Sequence, residues 1–341
     1  MINFRFSKFH HTDSGLLKLS RRFSESKSSW RLIILGSLAL LMMVAFMTIN
    51  TNGIWSFILP FRGTKLAVMV LVAFSIAVST VLFQTITHNR ILTPSLIGFD
   101  ALYALIHSMA ALGFGHGLAS LNSTSPMQFI IQVIIMTGLA CLLFKWIFEG
   151  SVHSLHKLIL VGIIFGLLFR SLSNFVMRLI DPNEFLILQD RLFASFNSVN
   201  PNLLAIAAIT LFFSTLLAFR ILPRYDVLAL GRHVAISLGI NYQRTVMLSL
   251  ALIAIMVSVS TALVGPITFL GLLVSNLAYH FSGSERHRIV LPAAVFIAII
   301  LLVGGETLLE HVLGLETSVS VVIEFIGGIM FLLIITKRVR Q

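Results

Sequence analysis

The sequence predicts an all-α, polytopic membrane protein with about ten transmembrane helices. Hydrophobic residues make up 57% of the chain and charged residues only 11%, and the mean hydropathy is +0.98. So little charge cannot cover the surface of a water-soluble domain. About ten apolar stretches approach the roughly 20 residues that a helix needs to cross the hydrocarbon core, and only short connections separate them. Little of the chain therefore remains for a separate soluble domain.

The chain divides into a tail and a membrane domain. Residues 1–29 are polar, serine-rich and basic, which predicts a cytoplasmic tail, and residues 30–341 are predicted to form one transmembrane domain. The first span, Trp30–Ile49, lacks a small-residue cleavage site and is interpreted as uncleaved. Several spans are short or contain glycine, which predicts uneven, partly broken helices. The other predicted spans are Leu66–Thr85, Leu96–Leu112, Met127–Phe148, Leu155–Leu172, Pro201–Phe219, Thr245–Val264, Ile267–Phe281, Ile289–Leu309 and Val319–Thr336.

The distribution of basic residues predicts the topology. The net charge is +11, but the lysines and arginines lie in short loops and at both termini rather than among aromatic residues, which argues against a nucleic-acid partner. With ten spans and an inside amino terminus, 19 of the 24 lysines and arginines fall on the cytoplasmic side. The positive-inside rule demands this asymmetry. We therefore predict a multi-pass membrane protein with both termini in the cytoplasm.

Two connections have special features. The pair Gly265-Pro266 lies in apolar sequence and predicts a broken helix at membrane depth. Neighbouring protein or a water-filled path must satisfy the carbonyl groups that such a break frees, so we expect a packed bundle around it. On the outer side, residues 174–200 carry apolar residues among charges, which predicts a short amphipathic helix on the membrane surface.

Three motifs carry a resemblance to a known family, and they lie at residues 84–98, 230–239 and 264–274. They are similar to signatures of the FecCD-type permeases, bacterial ABC transporter subunits that import iron-siderophore and vitamin B12 complexes. The matching residues outside the middle motif are Gln84, Asn89, Pro94, Gly98, Gly265, Pro266, Ile267, Phe269, Gly271, Leu272 and Val274. The sequence departs from the family at Arg90, where proline is usual, and at Ser275 and Asn276, where Pro-His is usual.

The resemblance implies a type II ABC importer permease in the bacterial cytoplasmic (inner) membrane. Its implied partners are ABC ATPase subunits, a second permease chain that can differ from this one, and a periplasmic or extracellular substrate-binding protein. This chain would bind no cofactor, because the partner ATPase uses the ATP. The variant Ser275, Asn276 and Tyr279 resembles the branch that serves catecholate siderophores, so a ferric siderophore is the expected cargo.

Other function classes are weighed by the motifs that they require. The chain contains no Gly-x4-Gly-Lys-Ser/Thr phosphate loop, no His-Glu-x-x-His pair and no Gly-x-Ser-x-Gly elbow, so we do not expect an enzyme. Two alternatives stay open. One is an ion-coupled secondary transporter driven through Asp100 or Glu324, and the other is an ABC permease for vitamin B12 or haem.

The connection 223–244 is the first candidate functional segment. Its apolar residues recur three and four positions apart, which predicts one short amphipathic helix ended by glycine. This spacing alone also fits a connector lying on the lipid surface. By resemblance, it is a coupling helix that docks in a groove of the ATPase, and the residues implied are Leu230, Gly231, Ala235, Leu238 and Gly239.

Two further candidate sites follow from the resemblance. The outer cations Arg62 and Lys65 occupy positions that dock acidic groups of the binding protein, although interface-anchoring cations would fit equally well. Ser151, Val152 and His153 occupy positions that narrow the inner exit of the pathway as a cytoplasmic gate. His153 and His156 lie one turn apart but lack a third ligand, so no metal site is predicted.

Ionisable residues in or near the spans form the last candidate set. An intramembrane charge is costly and is a functional-site hypothesis by default. The candidates are Asp100, Glu306 and Glu324. Glu324 is the deepest of them, and its structural alternative is a protonated, hydrogen-bonded acid packed between helices.

Overall fold

The computed structural model describes residues 13–49, 55–114, 125–149, 155–196, 199–312 and 319–339, and helices account for nearly all of them. A 3₁₀ turn at Ser95–Ile97 precedes α3, and a π-helical turn at Thr307–Val312 continues α12. The α-helices are α1 (Asp13–Thr48), α2 (Trp55–Thr87), α3 (Phe99–Phe114), α4 (Pro126–Glu149), α5 (Leu155–Met177), α6 (Pro182–Arg191), α7 (Pro201–Arg220), α8 (Leu222–Leu228), α9 (Arg232–Ser237), α10 (Tyr242–Val264), α11 (Leu270–Ser282), α12 (His287–Glu306) and α13 (Val319–Val339).

Ten of these helices coincide with the ten predicted spans. Within the described ranges, seven helices are long and apolar enough to cross a membrane, namely α1, α2, α4, α5, α7, α10 and α12. The apolar parts of α3 and α13 are shorter, and α11 has only 13 residues. The prediction of an all-α, multi-span membrane protein with uneven helices is therefore confirmed.

The helices α2 and α10 form the centre of the bundle. In their most apolar windows 67% and 78% of the residues are buried, against 11% in α1. Small and hydroxyl-bearing residues let the two backbones approach, and the Ser75 hydroxyl of α2 donates to the Met256 carbonyl of α10 at 2.7 Å. The outer helices expose leucine, isoleucine and phenylalanine instead, as expected for surfaces that meet lipid tails.

The predicted helix break is present between α10 and α11. The first helix ends at Val264, and Gly265 has a φ of +100°, which favours glycine. The backbone N–H of Ser195, in the loop after α6, donates to the Val264 carbonyl at 2.8 Å. A neighbouring segment thus satisfies a carbonyl group that the break frees, as the sequence argument required.

The described helices place polar groups at two opposite ends of the bundle. At the α8–α9 end, Arg90 after α2 meets Glu285 before α12, and Asp226 of α8 meets His287. At the other end, Lys65 near the start of α2 meets Glu306 at the end of α12. Helix directions therefore alternate as predicted, and the assignment of the α8–α9 end to the cytoplasm stays a prediction.

The connection 223–244 is not the single helix that its apolar spacing predicted. It forms two short helices, α8 and α9, and the chain turns between them at Gly231, whose φ is +102°. A second glycine with positive φ, Gly239 at +82°, follows α9. The apolar spacing continues across Gly231, so periodicity could not reveal the interruption.

Two other segments complete the comparison with the sequence. The predicted amphipathic helix of the outer connection is confirmed as α6, in which Leu188 is buried and Leu186 exposed. Residues 13–29 of the predicted tail are helical and continuous with the first span, because α1 begins at Asp13. The cytoplasmic location of the tail stays a prediction.

Candidate functional site

Four apolar side chains of the α8–α9 segment form an exposed surface, which we call the apolar patch. It consists of Leu230, Val234, Ile236 and Leu238, exposed by 61%, 44%, 50% and 61%. The patch lies on the connection between α7 and α10 rather than on a spanning helix. A contiguous exposed apolar surface with polar surroundings marks a protein interaction site.

The remaining predicted coupling residues have different environments. A methyl group added at Gly231 or Gly239 would meet no other atom within 4 Å, so both glycines lie in open space. Ala235 is fully buried, and its N–H donates to the Gly231 carbonyl at 3.0 Å. Ala235 therefore packs the segment onto its own chain, whereas Leu230 and Leu238 face outward.

A buried hydrogen-bond network connects α8 to the centre of the bundle. Asp226 Oδ1 of α8 lies 2.6 Å from His287 Nδ1 and accepts the His287 backbone N–H at 3.0 Å. The other ring nitrogen, Nε2, lies 2.7 Å from Thr85 Oγ1 on α2. His287 is only 1% exposed, and Tyr225 packs against its ring with a centroid distance of 5.8 Å. The network thus joins α8, α12 and α2.

Sequence analysis missed this network for an identifiable reason. His287 lies between Arg286 and Arg288, and the three residues together were interpreted as a basic topological marker. The structure separates them, because Arg286 and Arg288 are exposed while the histidine is buried. An apolar residue following at every third or fourth position was the only signal that the His287 face is internal.

The two departures from the family signature meet in space. The Asn276 side chain amide donates to the Arg90 carbonyl at 3.2 Å, and the Gln84 amide donates to the same carbonyl at 2.8 Å. The Arg90 guanidinium lies 4.3 Å from the Tyr279 ring centroid and forms an ion pair of 2.5 Å with Glu285. The first and last motifs therefore form one structural unit at the α8–α9 end.

Two of the three intramembrane acids lie around one threonine. Thr268, in the break between α10 and α11, donates to Asp100 Oδ2 at 2.8 Å and lies 3.5 Å from Glu324 Oε1. The second oxygen of Asp100, Oδ1, is buried without a hydrogen-bond partner among the described residues. The cluster joins the first turn of α3, the helix break and α13, and it is the most polar group inside the described bundle. Thr268 was not predicted.

The third acid, Glu306, has a different partner. Lys65 Nζ lies 2.6 Å from Glu306 Oε1 and 2.6 Å from Glu310 Oε2. The Lys65 side chain is 4% exposed and that of Glu306 is 10% exposed, so this pair is buried. Glu306 is therefore separated from Asp100 and Glu324, and it neutralises a buried cation.

This ion pair also bears on the docking surface predicted at Arg62 and Lys65. In this conformation the Lys65 ammonium faces two carboxylates of its own chain and not the solvent. The Arg62 guanidinium donates to the carbonyls of Phe46 and Ile49 at 3.1 and 2.6 Å, which ties α2 to the end of α1. Of the two, only Arg62 is half-buried rather than buried.

The predicted gate and metal positions are reported briefly. Ser151, Val152 and His153 lie outside the described residues, so their gate assignment stays a prediction. Among the described residues, no three His, Cys, Asp or Glu side chains are grouped in a way that could hold a metal ion.

Similar proteins agree with the motifs. The petrobactin import system permease protein YclO of Bacillus subtilis (strain 168) is 46% identical over 286 residues, which cover 84% of this chain and 90% of the relative. The petrobactin import system permease protein FatC of Bacillus anthracis is 38% identical over 277 residues, which cover 81% and 78% respectively. The solved structure of an inward-facing metal-chelate type ABC transporter shares the fold, with a TM-score of 0.77 over 91% of this chain and 99% of that one at 21% identity.

The family model gives the widest match along the sequence. The model described as the FecCD transport family matches residues 22–337, a range that contains all three motifs, the apolar patch and the buried network. The match covers well over half of the chain. This chain belongs to the FecCD transport family.

Proposed function

We propose that this chain is the membrane-spanning permease subunit of an ATP-driven importer of ferric siderophores. The observation that carries the proposal is the apolar patch, which a membrane bundle exposes at one end on a segment that a buried network fastens to the bundle. A motor protein that grips such a segment can move the helices behind it. The chain is not an enzyme, and ATP is used by the partner ATPase.

The relatives guide the choice of cargo and partners. The names of YclO and FatC specify petrobactin import, so petrobactin is the first chelate to test. We propose two ATPase subunits below the bundle, a second permease chain beside it and a binding protein above it. The α8–α9 end would then face the cytoplasm, both termini would lie there, and the protein would reside in the inner membrane.

The coupling step follows from the network geometry. When the ATPase subunits close, they would displace the apolar patch and with it α8. Asp226 would transmit this displacement to the first residue of α12 through two hydrogen bonds, and His287 would transmit it to Thr85 near the end of α2. Because α2 lies at the bundle centre, a small shift there can switch the pathway between outward and inward opening.

A charge placed in the apolar patch is expected to abolish ATPase binding. Leu238→Asp puts a carboxylate at a side chain that is 61% exposed, and burying that charge in a docking groove costs far more than the contact gains. We expect ATPase recovery in a pull-down to fall by about tenfold or more, which corresponds to about 1.4 kcal/mol. Import of iron-loaded petrobactin should fall with it.

The matched control makes the same substitution at the opposite end. Leu186→Asp on α6 changes a leucine of similar exposure, 63%, and should leave ATPase recovery unchanged. Equal recovery from both variants would contradict docking at the patch. Uptake that an uncoupler abolishes and that loss of the ATPase leaves intact would favour a secondary transporter driven through Asp100 or Glu324.

Breaking the buried network is expected to uncouple ATP hydrolysis from import. Asp226→Ala removes the partner of His287 Nδ1 and of the His287 N–H, and leaves both donors unsatisfied. Because the apolar patch remains, the ATPase should still bind and hydrolyse ATP. In proteoliposomes we expect the number of substrate molecules imported per ATP hydrolysed to fall about tenfold.

Asp181→Ala serves as the control for this experiment. Asp181 also accepts a backbone N–H, from Asn183, but it lies at the exposed start of α6 and contacts no coupling element. Its import per ATP should match that of the unmodified protein. Unchanged import per ATP in Asp226→Ala would show that the network only stabilises the fold.

A further inference from the structure

An apolar cavity lies between α2, α7 and α12, close to the coupling segment. Its volume is about 210 Å³, and the residues lining it include Phe74, Val78, Thr215, Phe219, Leu291 and Val295. Leu222, the first residue of α8, also lines it. An apolar cavity of about 150 Å³ is known to stay dry and to bind a hydrocarbon, so this cavity is large enough for part of an alkyl chain.

The walls of the cavity argue against water as its occupant. Thr215 contributes the one hydroxyl among its lining residues, and Thr215 Oγ1 has no hydrogen-bond partner among the described residues. A stable buried water needs two to four polar partners. The surrounding face of α7 carries Ile209, Phe212, Phe213 and Leu216 with exposures of 46–64%, so the cavity opens toward the surface that meets lipid.

Basic residues flank the cavity at its α8–α9 end. Arg220 directly follows the lining residue Phe219, and Arg288 lies one helical turn from Leu291 and Pro292 on the same face of α12. Both arginines are exposed, and neither forms an ion pair within the described part of the chain. The acids recorded at this end, Glu285 and Asp226, already pair with Arg90 and His287.

We propose that this cavity and its arginines form a binding site for an anionic phospholipid. The phosphate would lie between Arg220 and Arg288, and one acyl chain would enter the cavity. Basic pockets between transmembrane helices are suited to anionic headgroups. Thr215 lies five residues deeper than Arg220 on α7, about 7.5 Å, where its hydroxyl can donate to a glycerol ester carbonyl.

The position of the site gives it a specific consequence. The lipid would contact Leu222 of α8 and Leu291 of α12, the two helices that Asp226 and His287 join. Occupancy of the site would therefore brace the coupling segment against the bundle. The proposal does not depend on ATP-driven transport, and only the assignment of the site to the inner leaflet rests on the proposed function.

The test measures phosphatidylglycerol binding to the full-length chain in lipid nanodiscs by native mass spectrometry. We expect phosphatidylglycerol to be retained in preference to phosphatidylcholine. Arg220→Gln and Arg288→Gln should each lower that retention about fivefold, the change expected for one basic residue at an anionic surface. Arg178→Gln removes an equally exposed arginine at the opposite end and should not change it.

A second variant tests whether the acyl chain enters the cavity. Val295→Phe fills the cavity without changing charge and should also lower phosphatidylglycerol retention. Should this variant fail to fold, a tryptophan introduced by Phe219→Trp reports instead, and phosphatidylglycerol brominated on its acyl chains should quench it more strongly than brominated phosphatidylcholine at equal mole fraction.

Three results would overturn the proposal. Equal retention of the two lipids would remove the anionic selectivity. Unchanged phosphatidylglycerol retention in a folded Val295→Phe variant would place the acyl chain elsewhere. Crosslinks from position 219 to a second copy of the chain would show that protein, and not lipid, covers the cavity.

Discussion

Replacing Lys65 by methionine is expected to destabilise the folded protein by about 3–5 kcal/mol. The substitution leaves Glu306, whose side chain is only 10% exposed, without the cation that lies 2.6 Å away. A buried carboxylate that loses its partner must stay charged in an apolar environment or take up a proton, and both cost free energy. The measurement is the free energy of unfolding of the purified protein in a denaturant titration in detergent micelles.

Two further variants separate the ion pair from other causes. The double variant Lys65→Met with Glu306→Met removes both charges and should recover most of the lost stability, because an apolar replacement of a buried ion pair is often neutral. Glu285→Gln breaks the exposed pair with Arg90, whose side chains are 46% and 72% exposed, and should cost no more than about 1 kcal/mol. A Lys65→Met variant as stable as Glu285→Gln would mean that the buried pair does not form.

Gly98→Ala is expected to be the most damaging methyl-sized change in the membrane domain. Gly98 has a φ of +115°, where a side chain costs roughly 1–2 kcal/mol. A Cβ at this position would lie 2.8 Å from Gly166 Cα and 3.2 Å from Gly166 N, so the clash is with the backbone of α5. Overpacking of this kind adds roughly 1–3 kcal/mol. The unfolding titration should therefore show a loss of about 2–5 kcal/mol.

Gly138→Ala provides the matched comparison. Gly138 lies inside α4, and a Cβ there would meet nothing within 4 Å. Alanine in an unobstructed helix interior is expected to stabilise the protein by about 0.4–1 kcal/mol. Gly166→Ala should be intermediate, because its Cβ would lie 3.1 Å from Gly98 Cα without a positive φ. If all three variants were equally stable, α3 and α5 would not pack as closely as the structure shows.

The features that follow from local sequence were predictable. Hydropathy located the spans, and the Gly-Pro pair located the break between α10 and α11, because lipid permits few ways to satisfy a backbone. The alternating charges of residues 182–191 marked α6. The family motifs pointed to the α8–α9 segment, which exposes the apolar patch.

The features that depend on tertiary contacts were not predictable. Lys65 and Glu306 are separated by most of the chain, and only the packing of α2 against α12 brings them together. Sequence alone gave Lys65 an outward role and Glu306 an intramembrane role, whereas the structure pairs them. Thr268 joins Asp100 to Glu324 for the same reason. A short polar residue in a helix break gives no local sign of which acids lie beside it.

The hydrogen bond from Ser195 N–H to the Val264 carbonyl involves main-chain atoms only. Any amino acid except proline could stand at position 195 and still make that bond, whereas losing one residue from the stretch after α6 would pull the donor out of reach. Related chains can therefore vary the letters of this stretch freely while conserving its length, and alignment gaps there would be the sign of a differently built pore.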